Sequence, residues 1–176
     1  MKNNLTITPA TLDDLCALEL LEKECEAYFA FDPPCAAEHN RSLRECLEIG
    51  DIIPGVAQEN YRRRNYQFDC IWNDGVLIGW LAYYLEYQQT ETAYLSVMYI
   101  KEECRSGGVG AEVMGWLTGK LAGAGYKTIK THCSLRNATA LCFWVRQGFD
   151  RILEVECDGN LWPGKFGGLE LMKTIA

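Results

Sequence analysis

The sequence is poor in positive charge. Its 176 residues include 17 Lys and Arg against 24 Asp and Glu, which gives a formal net charge of −7. Broad binding to nucleic acid or to an anionic membrane needs a basic surface, so the composition argues against both kinds of partner. An acidic protein suits a cationic small molecule instead. We therefore expect no nucleic-acid and no membrane partner.

The sequence also lacks the marks of a membrane, secreted or metal-binding protein. No apolar run approaches the roughly 18 residues of a membrane-spanning helix, and no signal peptide precedes the first predicted strand. Nine cysteines are scattered without a C-x-x-C pair, which predicts reduced, mostly buried thiols in the cytoplasm. The two histidines, His39 and His132, lie far apart, so we expect no metal and a structural role for each.

What the sequence does contain is an ordered series of short strands and helices. Its length predicts one domain over residues 1–176. Turn signals and hydrophobic periodicity divide the chain, with Asn73-Asp74-Gly75 marking a hairpin and Thr11 marking the start of a helix. The predicted strands are 5–8, 66–72, 76–87, 92–100, 127–133, 151–157 and 168–174, and the predicted helices are 12–28, 35–49, 108–124 and 137–147.

A strand, a glycine-rich turn and a helix follow one another between Thr92 and Gly125. The strand alternates, so Ala93, Leu95, Val97 and Tyr99 are predicted to share one face. The turn has three glycines in four residues, and the first N–H groups of the following helix have no internal partners. The helix dipole favours an anion at this end. Together these features predict a cradle for a phosphate group.

Three kinds of phosphate-binding motif could account for this turn. No Lys-Ser or Lys-Thr follows Gly110, which excludes the P-loop. A dinucleotide fingerprint would place its third glycine at Val113 and would need an acidic residue where the chain has lysines. The third motif, [RQ]-x-x-G-x-[GA], is filled by Arg105, Gly108 and Gly110.

This third motif is the signature of the GCN5-related N-acetyltransferase (GNAT) superfamily, which the chain resembles. A second match follows the next strand, where Asn137, Ala140, Phe143, Gly148 and Phe149 fit N-x-x-A-x-x-[FL]-[YW]-x-x-x-G-F. The resemblance extends from Leu5 to Lys173 and is specific over Tyr94–Phe149. It implies an α/β (α+β) fold with a mixed, mostly antiparallel sheet of six or seven strands, flanked by about four helices.

The resemblance also implies a ligand and a site. In such proteins acetyl-coenzyme A is the acyl donor, and its pantetheine arm lies between the fourth and fifth strands; no metal takes part. The backbone N–H of Met98 is expected to polarise the thioester carbonyl, which is the largest kind of electrostatic contribution. The residues implied in coenzyme binding are Met98, Tyr99, Ile100, Arg105, Ser106, Gly107, Gly108, Val109, Gly110, Asn137, Ala140, Phe143 and Trp144.

The acid and base depart from the family pattern. Tyr94 and Ser96 stand where relatives carry a Glu or His base, so they are expected to pass a proton through water, towards Glu91 or Glu86. Trp144 replaces the tyrosine that protonates the leaving thiolate, and an indole N–H cannot serve as that acid. Tyr94, Tyr99 and Tyr84 are the alternative acids.

Three further features have two interpretations each. The aromatics Tyr28, Phe29 and Phe31 either line an acceptor pocket or pack a helix against the sheet, and packing is the commoner fate. The basic run 62–64 either contacts the nucleotide or forms a solvated surface. Glycines at 115, 119 and 123 repeat at helical spacing, and each costs about 1 kcal/mol relative to Ala, so we expect a close neighbour on that face. It is either a strand or helix packed against the glycines or the cofactor, and packing is favoured.

Two functions of different classes remain. The first is an N-acetyltransferase acting on a primary amine of a small molecule or, less in keeping with the sequence, of a peptide or protein. The second is a non-catalytic coenzyme A-binding module with the same fold. Action on charged transfer RNA is disfavoured because the chain lacks a basic surface. The acceptor amine and the oligomeric state stay open, with a homodimer as one alternative.

Overall fold

The sheet is the centre of the molecule. The computed structural model describes residues 4–25, 42–49, 65–105, 107–157 and 167–175. Over these residues seven strands form one sheet in the order β1-β2-β3-β4-β5-β7-β6. The strands are β1 Leu5–Pro9, β2 Tyr66–Asn73, β3 Val76–Tyr84, β4 Thr92–Ile100, β5 Thr128–Ser134, β6 Arg151–Cys157 and β7 Gly167–Thr174.

Every neighbouring pair of strands is antiparallel except β4 and β5, which run parallel. A parallel connection needs a crossover, and a helix supplies it here. The described helices are α1 Leu15–Lys23, α2 Leu43–Ile49, α3 Val109–Gly123 and α4 Ala138–Arg146. The predicted fold class, a mixed and mostly antiparallel sheet with about four helices, is confirmed.

Two hydrophobic clusters fix the helices on the two faces of the sheet. On one face, α3 contributes Val113, Leu117 and Leu121, which the spacing of four had predicted to be its buried stripe. Helix α4 joins the same cluster through Trp144. On the other face, α1 buries Leu15, Leu18 and Leu21, and α2 buries Leu43. The sheet is therefore covered by helices on both sides.

The two helices on the second face begin with side-chain caps. The Asp14 carboxylate accepts hydrogen bonds from the backbone N–H and the hydroxyl of Thr11, so the start signal at Thr11 is confirmed. A 3₁₀ turn at Leu12–Asp14 precedes α1. Glu45 likewise accepts from the N–H and hydroxyl of Ser42, whose oxygen accepts from the Glu45 N–H. Such reciprocal hydrogen bonds satisfy backbone N–H groups that have no partner within the helix at its N-terminus.

An ion pair between an exposed lysine and a buried carboxylate ties α3 to the sheet. The Asp69 carboxylate on β2 is 1% exposed and accepts a hydrogen bond from the Tyr83 hydroxyl at 2.9 Å. Lys120 of α3 places its Nζ 3.0 Å from the same carboxylate, and its ammonium group lies over the rings of Tyr83 and Trp116. Burial raises the pKa of Tyr83, so the phenol stays protonated as a donor. These contacts hold α3 at a fixed position on the sheet.

Among the described residues the glycine repeat on α3 meets no neighbour, so the expectation of a close contact was wrong. A Cβ built on Gly115, Gly119 or Gly123 would find nothing within 4 Å. All three lie on the exposed side of the helix, opposite the stripe that packs on the sheet. The three glycines therefore lower the stability of α3 without any packing contact in return.

The cysteines are less buried than predicted. Of the eight in the described residues, four are buried and three are exposed, and no two of the eight form a disulfide. The prediction of mostly buried thiols thus holds for only half of them. Within the same residues no group of three or more His, Cys, Asp or Glu side chains could hold a metal ion. None of the described helices is long and apolar enough to span a membrane.

Candidate active site

The parallel strands β4 and β5 separate halfway along their length. They pair over only four residues each, from Thr92↔Thr128 to Leu95↔Thr131. Beyond that point β4 continues beside β3, and β5 continues beside β7. A side chain takes part in the last pair: the Thr131 hydroxyl donates a hydrogen bond to the Leu95 carbonyl oxygen at 2.9 Å. A wedge-shaped opening follows, with backbone on both of its sides.

A β-bulge lies at the start of the opening. Ala82 of β3 faces Val97, but Tyr83 faces Leu95, so Ser96 is an extra residue in β4. Ala93 and Leu95 belong to the cluster under α3, whereas Tyr99 belongs to the cluster under α1, with Val97 packed against it. The predicted single face for these four residues was therefore wrong, because a bulge reverses the alternation.

The bulge also decides which backbone groups face the opening. The Lys101 N–H donates to the Ile78 carbonyl, and the Tyr99 carbonyl oxygen lies against Gly79, so these alternate residues face β3. Backbone direction alternates along a strand, and Met98 and Ile100 therefore face away from β3, towards the opening. The role of the Met98 N–H at a thioester carbonyl stays a prediction.

The glycine turn stands at the wide end of the opening. Gly108 is the residue before α3 and has φ +85°, a left-handed conformation that glycine adopts without strain. A Cβ on Gly107 or Gly108 would meet no atom of the described residues within 4 Å. The first turn of α3 therefore presents its N–H groups to an unobstructed position. The predicted cradle residues Val109 and Gly110 form this turn, and Ser106 lies outside the described residues.

Arg105 joins the turn to the end of β4. Its Nε donates to the Ile100 carbonyl oxygen at 2.8 Å, and its guanidinium lies over the Tyr99 ring, 5.5 Å from the centroid. The Ile100 carbonyl, predicted to pair with a pantetheine arm, is therefore already bonded on one side, although a carbonyl can accept a second bond. The Arg105 side chain braces the turn in addition to the backbone role that the sequence suggested.

The second sequence motif folds next to the first. Phe143 of α4 lies so close to Gly110 that a Cβ there would come within 3.0 Å of its ring, and 3.7 Å from the Ile100 side chain. Asn137 caps α4, because its Oδ1 accepts from the Ala140 N–H at 3.0 Å. The capping role of Asn137 is thereby confirmed. The first turn of α3 thus packs against Phe143 in the middle of α4 and against Ile100 at the end of β4.

The Acetyltransferase (GNAT) family model matches residues 19–149, about three quarters of the sequence. The chain belongs to this family. The match spans β4, the glycine turn, α3, β5 and α4, which build the opening and the cradle.

Solved structures of acetyltransferases share the fold of this GNAT protein. The acetyltransferase from Thermus thermophilus is 20% identical, with a TM-score of 0.69 over 97% of this chain and 96% of that one. PaiA N-acetyltransferase from Thermoplasma acidophilum, solved in complex with coenzyme A, is 14% identical with a TM-score of 0.61 over 97% and 99%. The Escherichia coli ribosomal-protein-S18-alanine N-acetyltransferase is 14% identical, with a TM-score of 0.63 over 98% and 94%. Among curated proteins no significant match was found.

The sheet face opposite α3 carries a strip of polar and aromatic side chains in this GNAT protein. Tyr94 stacks on Tyr87 with ring centroids 4.4 Å apart. Lys130 lies over Tyr87 and contacts the Glu170 carboxylate at 3.4 Å. The predicted proton-transfer residue Tyr94 is half-buried in this strip, and Ser96 is exposed at the bulge. An acceptor that approaches the opening from this side would meet these groups.

His132 lies on this strip, where the sequence had suggested only a structural residue. It is the first residue of β5 beyond the last pair with β4, and its Nε2 lies 3.6 Å from the Glu156 carboxylate. The sequence signal that could have found it is its position, one residue after the expected end of the parallel pairing.

The other acid–base candidates lie in less accessible places. Tyr84 is 1% exposed and Tyr99 is 3% exposed. Burial, then a hydrogen bond to Cys25, raises the pKa of Tyr99, which makes its proton harder to release. Glu91 forms an ion pair with Lys127 at 2.7 Å, and Glu86 accepts from the Asn65 amide. Both carboxylates lie before the start of β4, on the far side of the paired region from the opening.

Trp144 is a core residue. It is 6% exposed and packs edge-on against Phe143 and Phe149, with centroids 4.9 and 5.2 Å away. It therefore supports the ring that lies against Gly110. The remaining candidates fall outside the described residues: His39, Tyr28, Phe29, Phe31, the basic run 62–64 and the loop 158–166.

Proposed function

We propose that this protein is an acetyl-coenzyme A-dependent N-acetyltransferase that acts on a primary amine of a small molecule. The observation that carries the proposal is the opening between β4 and β5, which ends at the left-handed Gly108 in front of α3. Membership of the GNAT family, in which acetyl-coenzyme A is the usual donor, supports the same function.

The described residues suit both the pyrophosphate and the pantetheine arm of acetyl-coenzyme A. The pyrophosphate is an anion that the N-terminal N–H groups of α3 would bind, and the open space at Gly107 and Gly108 leaves room for it. The pantetheine arm has amide groups that can pair with an unpaired strand edge, which the cleft-facing backbone of Met98 and Ile100 offers. Ala140 and Phe143 are partly buried on α4, with Phe143 beside Gly110, and would flank the arm.

The protein would accelerate the reaction mainly by positioning the two reactants and by supplying one hydrogen-bond donor. The Met98 N–H would bind the carbonyl oxygen as negative charge develops on it, because a preorganised donor stabilises the transition state more than the ground state. The amine nitrogen forms a bond to the carbonyl carbon, and the carbon–sulfur bond breaks. The sulfur leaves as a thiolate, and the nitrogen gives up a proton.

The polar strip offers a route for that proton. In this proposal His132 accepts it, directly or through water, while Glu156 orients the imidazole from 3.6 Å. Tyr94 and Ser96, the residues suggested by the sequence, would guide the water at the bulge. Replacing His132 with Gln is expected to lower kcat more than it raises KM. An unchanged kcat would remove His132 from the mechanism.

The alternative function is a coenzyme A-binding module without turnover. The buried Trp144, which stands where family members carry an acidic tyrosine, favours it, as do the burial of Tyr84 and Tyr99. A peptide or protein amine is the alternative acceptor. A homodimer, a cytoplasmic location and a single domain over residues 1–176 stay predictions.

The deciding experiment is calorimetric titration with acetyl-coenzyme A, followed by a turnover assay. Loss of the thioester absorbance would be measured with polyamines, amino sugars, amino acids and peptide N-termini, and with a longer acyl donor in parallel. Binding with turnover of one amine class supports the enzyme. Binding without turnover across the panel favours the module, and no binding overturns both.

A further inference from the structure

Strand β6 is an edge strand that the described structure leaves uncovered. It lies last in the sheet order, and its one neighbour among the described residues is β7. All seven of its residues are exposed. An exposed edge presents unpaired N–H and C=O groups, which natural proteins protect with charges, proline or a covering segment. β6 contains no proline, but it carries the charged residues Arg151, Glu154 and Glu156, and a strand that pairs with this edge must match them.

The exposed apolar side chains of the described residues concentrate on this strand. Ile152 and Val155 are 60% and 58% exposed, and Leu153 is 39% exposed. Three of the seven large exposed hydrophobic residues in the described part of the chain thus lie on seven residues of one strand. A concentration of apolar side chains beside an open strand edge is typical of an interaction surface.

A bulge gives β6 an internal symmetry. Ile152 faces Leu171 and Val155 faces Leu169, so Leu153 is an extra residue in β6. Leu169 and Leu171 both face the cluster under α3, and opposed residues of an antiparallel pair share a face. Ile152 and Val155 therefore lie on one face although they are three residues apart. Arg151 and Glu156, opposite Met172 and Gly168, lie on the other face.

We propose that β6 pairs with β6 of a second copy of this chain, antiparallel, about a two-fold axis between Leu153 and Glu154. This register places Ile152 of one copy opposite Val155 of the other, on the face of α3. It places Arg151 opposite Glu156 on the other face. Each contact occurs twice because a two-fold interface is self-complementary. Apolar residues then meet apolar residues, and opposite charges meet.

Neighbouring registers are less favourable. A two-fold axis through Glu154 would place the two Glu154 carboxylates directly opposite each other, which is destabilising. The register centred between Leu153 and Glu154 avoids this contact and places the bulge residue Leu153 of one copy opposite Glu154 of the other. The two sheets become one continuous sheet of fourteen strands, twice the seven described in one chain.

Charge reversal tests this register by sedimentation velocity over a wide range of protein concentrations, without any substrate. Arg151→Glu and Glu156→Arg should each weaken self-association by at least about tenfold, because two attractive pairs become repulsive. The double variant R151E/E156R should restore it, since both pairs are then re-formed with the signs exchanged. Lys23→Glu and Glu19→Arg on α1 are exposed controls that change net charge equally and should have no effect.

The result is independent of the enzymatic proposal because it needs no donor and no acceptor. Thermal melting monitored by circular dichroism checks that each variant stays folded, as expected for exposed side chains. A protein that is monomeric at all concentrations would overturn the proposal. So would a dimer that the single reversals leave intact, or one that the double variant fails to restore.

Discussion

The hydroxyl of Thr131 donates to the carbonyl oxygen of Leu95 at the last residue pair that joins β4 to β5. Thr131 is 2% exposed, so the bond is shielded from water. It satisfies a carbonyl at the position where the ladder between the two strands stops. A side chain, and not another backbone group, therefore ends the parallel pairing.

Thr131→Val should lower the free energy of unfolding by about 1–3 kcal/mol, because the Leu95 carbonyl loses its buried partner while the volume stays nearly the same. Thr131→Ser keeps a hydroxyl and is the matched control for the hydrogen bond. Urea unfolding of the three proteins measures the difference. Equal midpoints for the Val and Ser variants would show that the hydroxyl contributes nothing.

Gly108→Leu should abolish coenzyme A binding and leave the protein folded. The new side chain would enter the cradle, and the positive φ would add a strain of about 1–2 kcal/mol. Gly125 has φ +87° and an equally open surrounding at the other end of α3. Gly125→Leu therefore carries the same strain without touching the cradle. Calorimetry should show lost affinity for the first variant only, and unchanged affinity in Gly108→Leu would exclude the cradle assignment.

Asn137 substitutions can separate capping from ligand binding. Asn137→Ala should cost about 1 kcal/mol of stability because the cap to Ala140 is lost. Asn137→Asp and Asn137→Ser both keep a capping oxygen, but only Asp adds a negative charge. Asp should bind coenzyme A more weakly than Ser at low salt if the residue lies near a phosphate. Equal affinities would leave capping as its whole role.

Gly79 and Gly119 should respond in opposite directions to alanine. A Cβ on Gly79 would collide with the Tyr99 carbonyl oxygen, and backbone cannot move aside cheaply. Gly79→Ala should therefore destabilise the protein by roughly 1–3 kcal/mol. Gly119→Ala adds a methyl group in open space on a helix and should stabilise by up to ~1 kcal/mol. Thermal melting of both variants checks the signs; a stabilised Gly79→Ala would contradict the strand geometry.

Thiol reactivity should follow burial. Burial raises the pKa of Cys25 to about 11 and that of Cys70 to about 12. At pH 8 only about one molecule in a thousand would then carry the Cys25 thiolate. Cys16, Cys142 and Cys157 are exposed and should be alkylated first, as mass spectrometry of timed samples would show. Early labelling of Cys70 would disagree with this structure. The exposed thiols also make thioester absorbance a better assay than thiol-reactive dyes.

Local signals in the sequence predicted the cradle and the cap. The glycine turn and the residues 137–149 each depend on chain neighbours, and the structure places them together. The separation of β4 from β5 could be predicted only through the family resemblance, because it produces no recognisable pattern in the sequence of either strand. The hydrophobic alternation of β4 even predicted a regular strand without a bulge.

Features that depend on distant partners were missed for a physical reason. The bulge at Ser96 is a property of the register between β4 and β3, and the alternating residues of one strand cannot reveal it. The approach of His132 to Glu156 likewise depends on the pairing of β5, β7 and β6. Glycines 115, 119 and 123 were assigned a neighbour because each has a cost, but the helix simply turns them to solvent.

In the proposed function, in which the cradle at Gly108 binds an anion, the solvent-facing glycines of α3 would couple helix fraying to ligand affinity. Three glycines make the helix intrinsically weak, and its local unfolding equilibrium lies closer to the open state than in an alanine-rich helix. The cradle at Gly108 exists only while the first turn is helical, so the apparent affinity falls with the fraction of molecules that are frayed. Binding of an anion at the first turn would in turn protect amides along the rest of α3. The weak helix would thus let amide exchange report on occupancy of the cradle.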